Sequence, residues 1–285
     1  MVQFDELTSG VVVDTSTQRK RRCSTLGGVS IGKSTVAIES GDSPEIGKSM
    51  RCALETHFDL PVSHMFLTHT HPDHRKGMSA FKDITLVIST KCYEDIPRSV
   101  KLGKWNVETF DDMLILGESN QLELQHVGGH TIGSSVALVP KDKVLFVGDL
   151  IFERSANFGL PFMGFYQNRP KSDGNPAEHI AAFEKFKRMK VKIIVPGHGD
   201  VIHDADKHLD VQIKFFKELH EFIISEIEDG KSIDAIDLPD IGLIKQAYSV
   251  LETHKEKSTA KRWLESYLQK LKVSFYRYYS TDQSI

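Results

Sequence analysis

The feature that most constrains this chain is the cluster His69-Thr70-His71-Pro72-Asp73-His74, which closes the short apolar run Met65-Phe66-Leu67. A hydroxide-generating metal site needs neutral imidazoles and a carboxylate converging on one point. Residues two apart in an extended segment share a side, so His69 and His71 can reach one ion together. Asp73 and His74 lie just beyond Pro72 and are free to turn toward a second ion. The end of an apolar strand is also where α/β proteins build their sites.

Three later segments follow the same plan. Gly128-Gly129-His130-Thr131 places a histidine after a β run, with glycines that permit close approach of the backbone. Val147-Gly148-Asp149 ends another apolar run in a carboxylate, and Val195-Pro196-Gly197-His198-Gly199 ends a third in a histidine. Taken singly, each is more often a hydrogen-bonded structural residue. Together, and in this order, they point to a metal centre.

The rest of the pattern predicts a layered α/β body. The β-branched runs Val11-Val12-Val13 and Thr35-Val36-Ala37-Ile38 predict strands, as do the segments 85–88, 122–126, 135–138, 144–147 and 192–195. Helical spacing covers 45–58 and 177–189. From 206 onward the pattern is helical. Leu209, Ile213, Phe216, Phe222, Ile223 and Ile227 form one stripe, stopped by Gly230, and Ala260, Trp263, Leu264, Tyr267, Leu268 and Leu271 form another. The sequence therefore divides into a catalytic domain over 1–205 and a helical extension over 206–285. The stripes predict packing against the α/β body; a homodimer interface or a cap over substrate is the alternative use.

A chain of 285 residues can bury a sizeable core. Its formal net charge of −3 gives no reason to expect nucleic acid or an anionic membrane as partner. Cys23, Cys52 and Cys92 have no CxxC spacing and do not describe a disulfide framework; they suit a reducing compartment. No leader segment is visible, and no apolar run approaches the ~20 residues of a membrane span. A cytoplasmic protein is the expectation.

The ordered set His69-x-His71-x-Asp73-His74, His130, Asp149 and His198 resembles the signature of the metallo-β-lactamase superfamily. That resemblance implies an αβ/βα four-layer sandwich, two mixed sheets face to face with helices outside, and a metal site at one edge between the sheets. It also implies two Zn²⁺ ions per chain, although iron and manganese suit the same donors. By the same resemblance His69, His71 and His130 hold the first ion, Asp73, His74 and His198 hold the second, and Asp149 bridges them. A hydroxide between the ions is then the nucleophile, and Asp73 is the catalytic residue that orients it and passes a proton to the leaving group. One departure is the Asp-x-Gly turn usual in relatives: here it is Glu39-Ser40-Gly41, which leaves the hydrogen bonding behind the site open.

Within that family the sequence points to hydrolysis of a small carbonyl compound, a thioester as in glyoxalase II-like enzymes or a lactone. The alternatives are a phosphodiesterase or ribonuclease of the same fold, or an iron-dependent persulfide dioxygenase. The long loop after Asp149 carries Phe152, Phe158, Phe162, Phe165 and Tyr166, which either border the substrate or anchor the loop. Tyr166 is the candidate donor to a developing oxyanion. Gly27 to Ser34 matches the phosphate-loop pattern GxxxxGK[ST], but the residues after it read as a strand, so a hairpin is expected. The run Arg19-Lys20-Arg21-Arg22 reads as a solvated turn or as a contact for an anionic substrate or nucleic acid. His64 and His126 read as strand histidines or as partners that fix a ligand's tautomer.

Overall fold

The computed structural model describes residues 2–16, 23–118, 121–153, 157–163, 174–253 and 257–282. Seven strands form the first sheet in chain order: β1 (Asp5–Thr8), β2 (Val11–Asp14), β3 (Leu26–Ser30), β4 (Thr35–Ile38), β5 (Val62–Phe66), β6 (Thr85–Ser89) and β7 (Asn106–Phe110). The second sheet holds β8 (Met113–Leu116), β9 (Leu122–His126), β10 (Ser135–Val139), β11 (Val144–Phe152) and β12 (Ile193–His198), in the order β12-β11-β10-β9-β8. Pairing is antiparallel from β1 to β4 and from β8 to β11, and parallel for β4 to β7 and for β11 with β12.

The period of two along each strand sorts side chains into three cores. Val11, Val13, Val36, Ile38, Phe66 and Val87 face the second sheet, where they meet Leu124, Ala137, Val139, Phe146 and Val195. Their neighbours Val12, Ala37, Met65, Leu86 and Ile88 point the other way, under a helix. In the second sheet Val136, Leu138, Leu145, Val147 and Ile194 likewise turn outward to helices. Both faces of each sheet are covered, which is why the central strands read as continuous apolar runs rather than alternating ones.

The helix under the first sheet, α1 (Pro44–Phe58), starts where the sequence sets it. Ser43 caps it by accepting from Ile46 N–H, Pro44 stands at a position where its missing N–H costs nothing, and Asp59 ends it in the left-handed conformation. A one-turn helix α2 (Pro72–Arg75) follows β5, and α3 (Thr90–Asp95) follows β6. On the other side lie α4 (Pro176–Arg188), α5 (Ala205–Glu228), α6 (Gly242–Glu252) and α7 (Lys257–Asp282). Phe183, Phe186, Phe215, Phe216, Leu264 and Phe275 join these helices to the second sheet in one apolar core. The architecture is thus the helix–sheet–sheet–helix sandwich with a helical C-terminal extension. Among the described residues no helix is long and apolar enough to cross a membrane.

Two sequence motifs resolve at this level. Gly27 to Ser34 is the β3–β4 hairpin, paired Gly27 with Ile38 through Ser30 with Thr35, so no helix N-terminus stands behind Lys33 to hold phosphate. In the second helical stripe Ala260, Leu264, Leu268 and Leu271 are buried, but Trp263 is 49% exposed and Tyr267 half-buried. These two lie off the packed face of α7. Arg19 to Arg22 lies outside the described residues, as do Phe165 and Tyr166.

Candidate metal centre

The structure brings His69, His71, Asp73, His74, His130, Asp149 and His198 to one edge of the sandwich. The first four come from the turn after β5. His71 is extended (φ −62°, ψ 147°), and Pro72 starts the single turn of α2, which swings Asp73 and His74 back toward the preceding histidines. Asp149 and His198 stand near the ends of the adjacent parallel strands β11 and β12, and His130 stands in the β9–β10 turn.

Asp149 is the centre of the arrangement. Its Oδ2 lies 3.7 Å from His69 Nε2, 3.9 Å from His71 Nδ1 and 3.6 Å from His130 Nε2. Its Oδ1 lies 3.1 Å from His74 Nε2 and 3.5 Å from His198 Nε2. Asp73 Oδ2 closes the second group, 3.2 Å from His198 Nε2 and 3.9 Å from His74 Nε2. Each oxygen of one buried carboxylate therefore faces a different cluster of donors.

The tautomers follow from what stands behind the rings. Thr68 has one hydroxyl proton, and it goes to Glu39 Oε1 at 2.5 Å. The contact of Thr68 Oγ1 with His69 Nδ1 at 2.9 Å must then have the imidazole as donor, which leaves the lone pair on Nε2, facing Asp149. His130 Nδ1 donates to the carbonyl of Phe162 at 2.5 Å, which directs its Nε2 the same way. Glu39 Oε1 also lies 3.1 Å from His74 Nδ1, while Ser40 N–H and Oγ–H both donate to the His74 carbonyl, at 2.8 Å and 2.7 Å. So Glu39-Ser40-Gly41 supports the site from behind after all: the longer side chain reaches His74 from a backbone held at φ 67°. Glu39→Ala is expected to weaken metal binding by about 10- to 100-fold through His74 orientation, read by titration against a competing chelator; unchanged affinity would remove Glu39 from this role.

The loop of His130 is held by backbone contacts. Glu178 on α4 accepts from Gly129 N–H at 3.1 Å, and Asn175 N–H donates to the Gly129 carbonyl at 2.7 Å. Gly128 and Gly129 both have positive φ, 68° and 94°, a conformation that glycine takes without strain. On β11 Gly148 (φ 52°) passes so close to Thr68 that a Cβ would sit 2.3 Å from its hydroxyl oxygen. His64 and His126 are not among these groups: His64 Nδ1 meets Ser63 Oγ, and His126 Nε2 donates to the Ile132 carbonyl.

The electrostatics of these groups are those of a cation site. Burial, helped by the neighbouring imidazoles, lowers His69 well below the ordinary value and holds His130 down to about 3. Burial acts on His74 in the same direction, but Asp149, Glu39 and Asp73 outweigh it and raise its pKa well above the ordinary value. Burial would raise the carboxyl of Asp73, yet His74 and the hydrogen bond from His198 bring it down to about 2. Asp149 is likewise held well below the ordinary carboxylate range by His74 and His198, against its own burial. His69 Nε2 and Asp149 Oδ1 are buried without a hydrogen bond, and each faces the converging donors. Buried polar atoms left unpaired in this way are costly, and a metal ion is what imidazole and carboxylate donors so placed fit.

Aromatic side chains line the same edge. Phe152 stacks on His198 with centroids 5.3 Å apart and planes 10° apart. Phe162 stands 5.7 Å from the His130 ring and 6.5 Å from that of His71. Phe158 instead packs into the helical core.

A family model described as the metallo-beta-lactamase superfamily matches residues 54–198. Among curated proteins the chain is 24% identical over 215 residues to the lactamase-like protein nscB of Aspergillus fumigatus, covering 70% of this chain and 59% of that one. It is 23% identical over 177 residues to the thioesterase pkgB of Emericella nidulans, covering 61% and 45%. It is 27% identical over 158 residues to hydroxyacylglutathione hydrolase of Bartonella quintana, covering 54% and 53%. The chain thus spans less than two thirds of the length of these relatives. Among solved structures a metallo-beta-lactamase from Pontibacter korlensis superposes with a TM-score of 0.59 at 22% identity, over 76% of this chain and 99% of that one, a likeness of fold.

Proposed function

The chain belongs to the metallo-beta-lactamase superfamily, and from that premise we propose that it is a dinuclear hydrolase, using zinc, of a small thioester or lactone. His69, His71 and His130 would hold one ion and Asp73, His74 and His198 the other, with Asp149 between them. When bound, the ions supply a water ionised near pH 7 and positive charge facing the attacked carbonyl oxygen. The observation that carries the proposal is the division of Asp149: one carboxylate oxygen faces three imidazoles, the other faces two more.

The chain's own groups do the rest. Asp73 is the least buried of the two site carboxylates, with its side chain 32% exposed against 5% for Asp149. It is the one that can orient the attacking water, take its proton and hand it to the leaving group. Phe152 and Phe162 make an apolar wall that suits an organic substrate with few polar groups. Thioester hydrolysis is favoured over phosphodiester cleavage by the relative named a thioesterase and by the net charge of −3, where a nucleic-acid groove needs a basic stripe.

The test is elemental analysis of protein purified without added metal, alongside turnover of aryl thioesters and lactones. About two zinc ions per chain, with turnover lost on chelation and restored by zinc, is the expected result. A single iron with little zinc would overturn the zinc hydrolase and favour sulfur dioxygenase chemistry.

A further inference from the structure

Among the described residues the helical extension reaches Phe162, beside the metal centre. Phe162, whose carbonyl accepts from His130, meets the Tyr267 ring edge-on at 5.5 Å. The Lys270 ammonium lies 5.2 Å from the Phe162 centroid and 5.6 Å from that of Tyr267. Trp263, Tyr267 and Lys270 are spaced by four and three residues on α7, so they share one face. Lys270 is exposed and has no carboxylate partner among the described residues, whereas Lys257 and Lys261 on the same helix pair with Glu252 and Glu265. One aromatic ring, Phe162, therefore separates an imidazole of the centre from an ammonium that also lies over the Tyr267 ring.

We propose that this face of α7 is a substrate subsite, in which Lys270 binds an anionic group carried about one aromatic ring away from the scissile carbonyl. The claim rests on the hydrolase proposed above and names its substrate class: an aryl or similarly flat thioester or ester with a carboxylate at its far end. The substrate's ring lies along Phe162, its carbonyl points toward His71 and His130, and its carboxylate meets Lys270. A cation that sits over ring faces is already partly stripped of water, and it has donors left for a carboxylate. In the reaction a water oxygen bonds to the carbonyl carbon, the C–S bond breaks, one proton of the water passes through Asp73 to the leaving sulfur, and the other is released as the product acid ionises.

The experiment compares 4-carboxyphenyl thioacetate with phenyl thioacetate, whose leaving groups differ by one carboxylate at one ring's distance. The wild-type holoenzyme is expected to prefer the carboxylated compound, through KM. In Lys270→Gln the ratio of the two kcat/KM values is expected to fall about fivefold, the size of a partly exposed ion pair, and Lys270→Arg is expected to keep it. A lysine that only clamps α7 to the loop would change both substrates together and leave the ratio intact, which overturns the proposal, as does a wild type with no preference. If neither compound turns over, the hydrolase proposal fails on its own. Calorimetric binding of 4-acetylbenzoate against acetophenone, on the same proteins, then decides the subsite: loss of the carboxylate preference in Lys270→Gln supports it, and no preference in the wild type ends it.

Discussion

Asp149→Ala is expected to leave at most about one metal ion per chain and to lower kcat/KM at least ~1000-fold, equivalent to roughly 4 kcal/mol of transition-state stabilisation. The side chain is buried and stands within 3.9 Å of a ring nitrogen of five histidines. Without it, one cluster keeps three imidazoles and no anion, and the other loses the oxygen that faces His74 and His198. Asp149→Asn separates charge from shape. It preserves the volume but offers one oxygen in place of two, so its metal content should fall with little change in the fold of the metal-free chain. Elemental analysis and circular dichroism on both variants make the check. Full occupancy and full turnover in Asp149→Ala would mean that the carboxylate is a packing residue and not the ligand shared by the two clusters.

Gly197→Ala is the second large effect, and here a single methyl group is the cause. A Cβ on residue 197 would stand 2.1 Å from Asp149 Oδ1 and 2.7 Å from the Gly148 carbonyl oxygen. Neither atom can retreat cheaply. The carboxylate faces donors from both its oxygens, and the Gly148 backbone is itself pressed against Thr68. Forcing the extra carbon into this space should destabilise the chain by about 1–3 kcal/mol. It should also displace His198, one position on, so metal content falls together with the melting temperature. Gly103→Ala serves as the control, because nothing lies within 4 Å of a Cβ there. A variant at 197 that melted and bound metal like the control would show that β11 and β12 leave room for a methyl group between them.

The strands and the seven polar residues were legible for a shared reason. Both sheets are covered on both faces, so their central strands are unbroken apolar runs, and a histidine or aspartate at the end of such a run stands out. β4 and β9 coincide with the segments read from sequence, Thr35–Ile38 and Leu122–His126. β7 and β8 escaped because they lie at the outer edges of the two sheets, where Asn106, Glu108, Met113 and Ile115 are exposed and the apolar signal is thin. What orients the site was hidden for a different reason. The contacts of Gly129 with Glu178 and Asn175, and of His130 with Phe162, run through the backbone, which carries no residue-type signature. Glu39 looked like a departure because only its reach across the turn shows that the longer acid meets His74. Trp263 and Tyr267 fitted a helical stripe by spacing, and spacing alone does not distinguish a side chain on the core from one on the rim.

The candidate ligands are also ordered in time. Residues 69 to 74 belong to the first sheet's side of the site, whereas His130, Asp149 and His198 come from the second sheet. On the ribosome the nascent chain therefore displays three histidines and an aspartate long before Asp149 exists to face them, and the second cluster waits for the last strand of the sandwich. Until β12 has been made and has docked beside β11, His198 has no place beside Asp149, so the second cluster is completed only by the last strand to be synthesised.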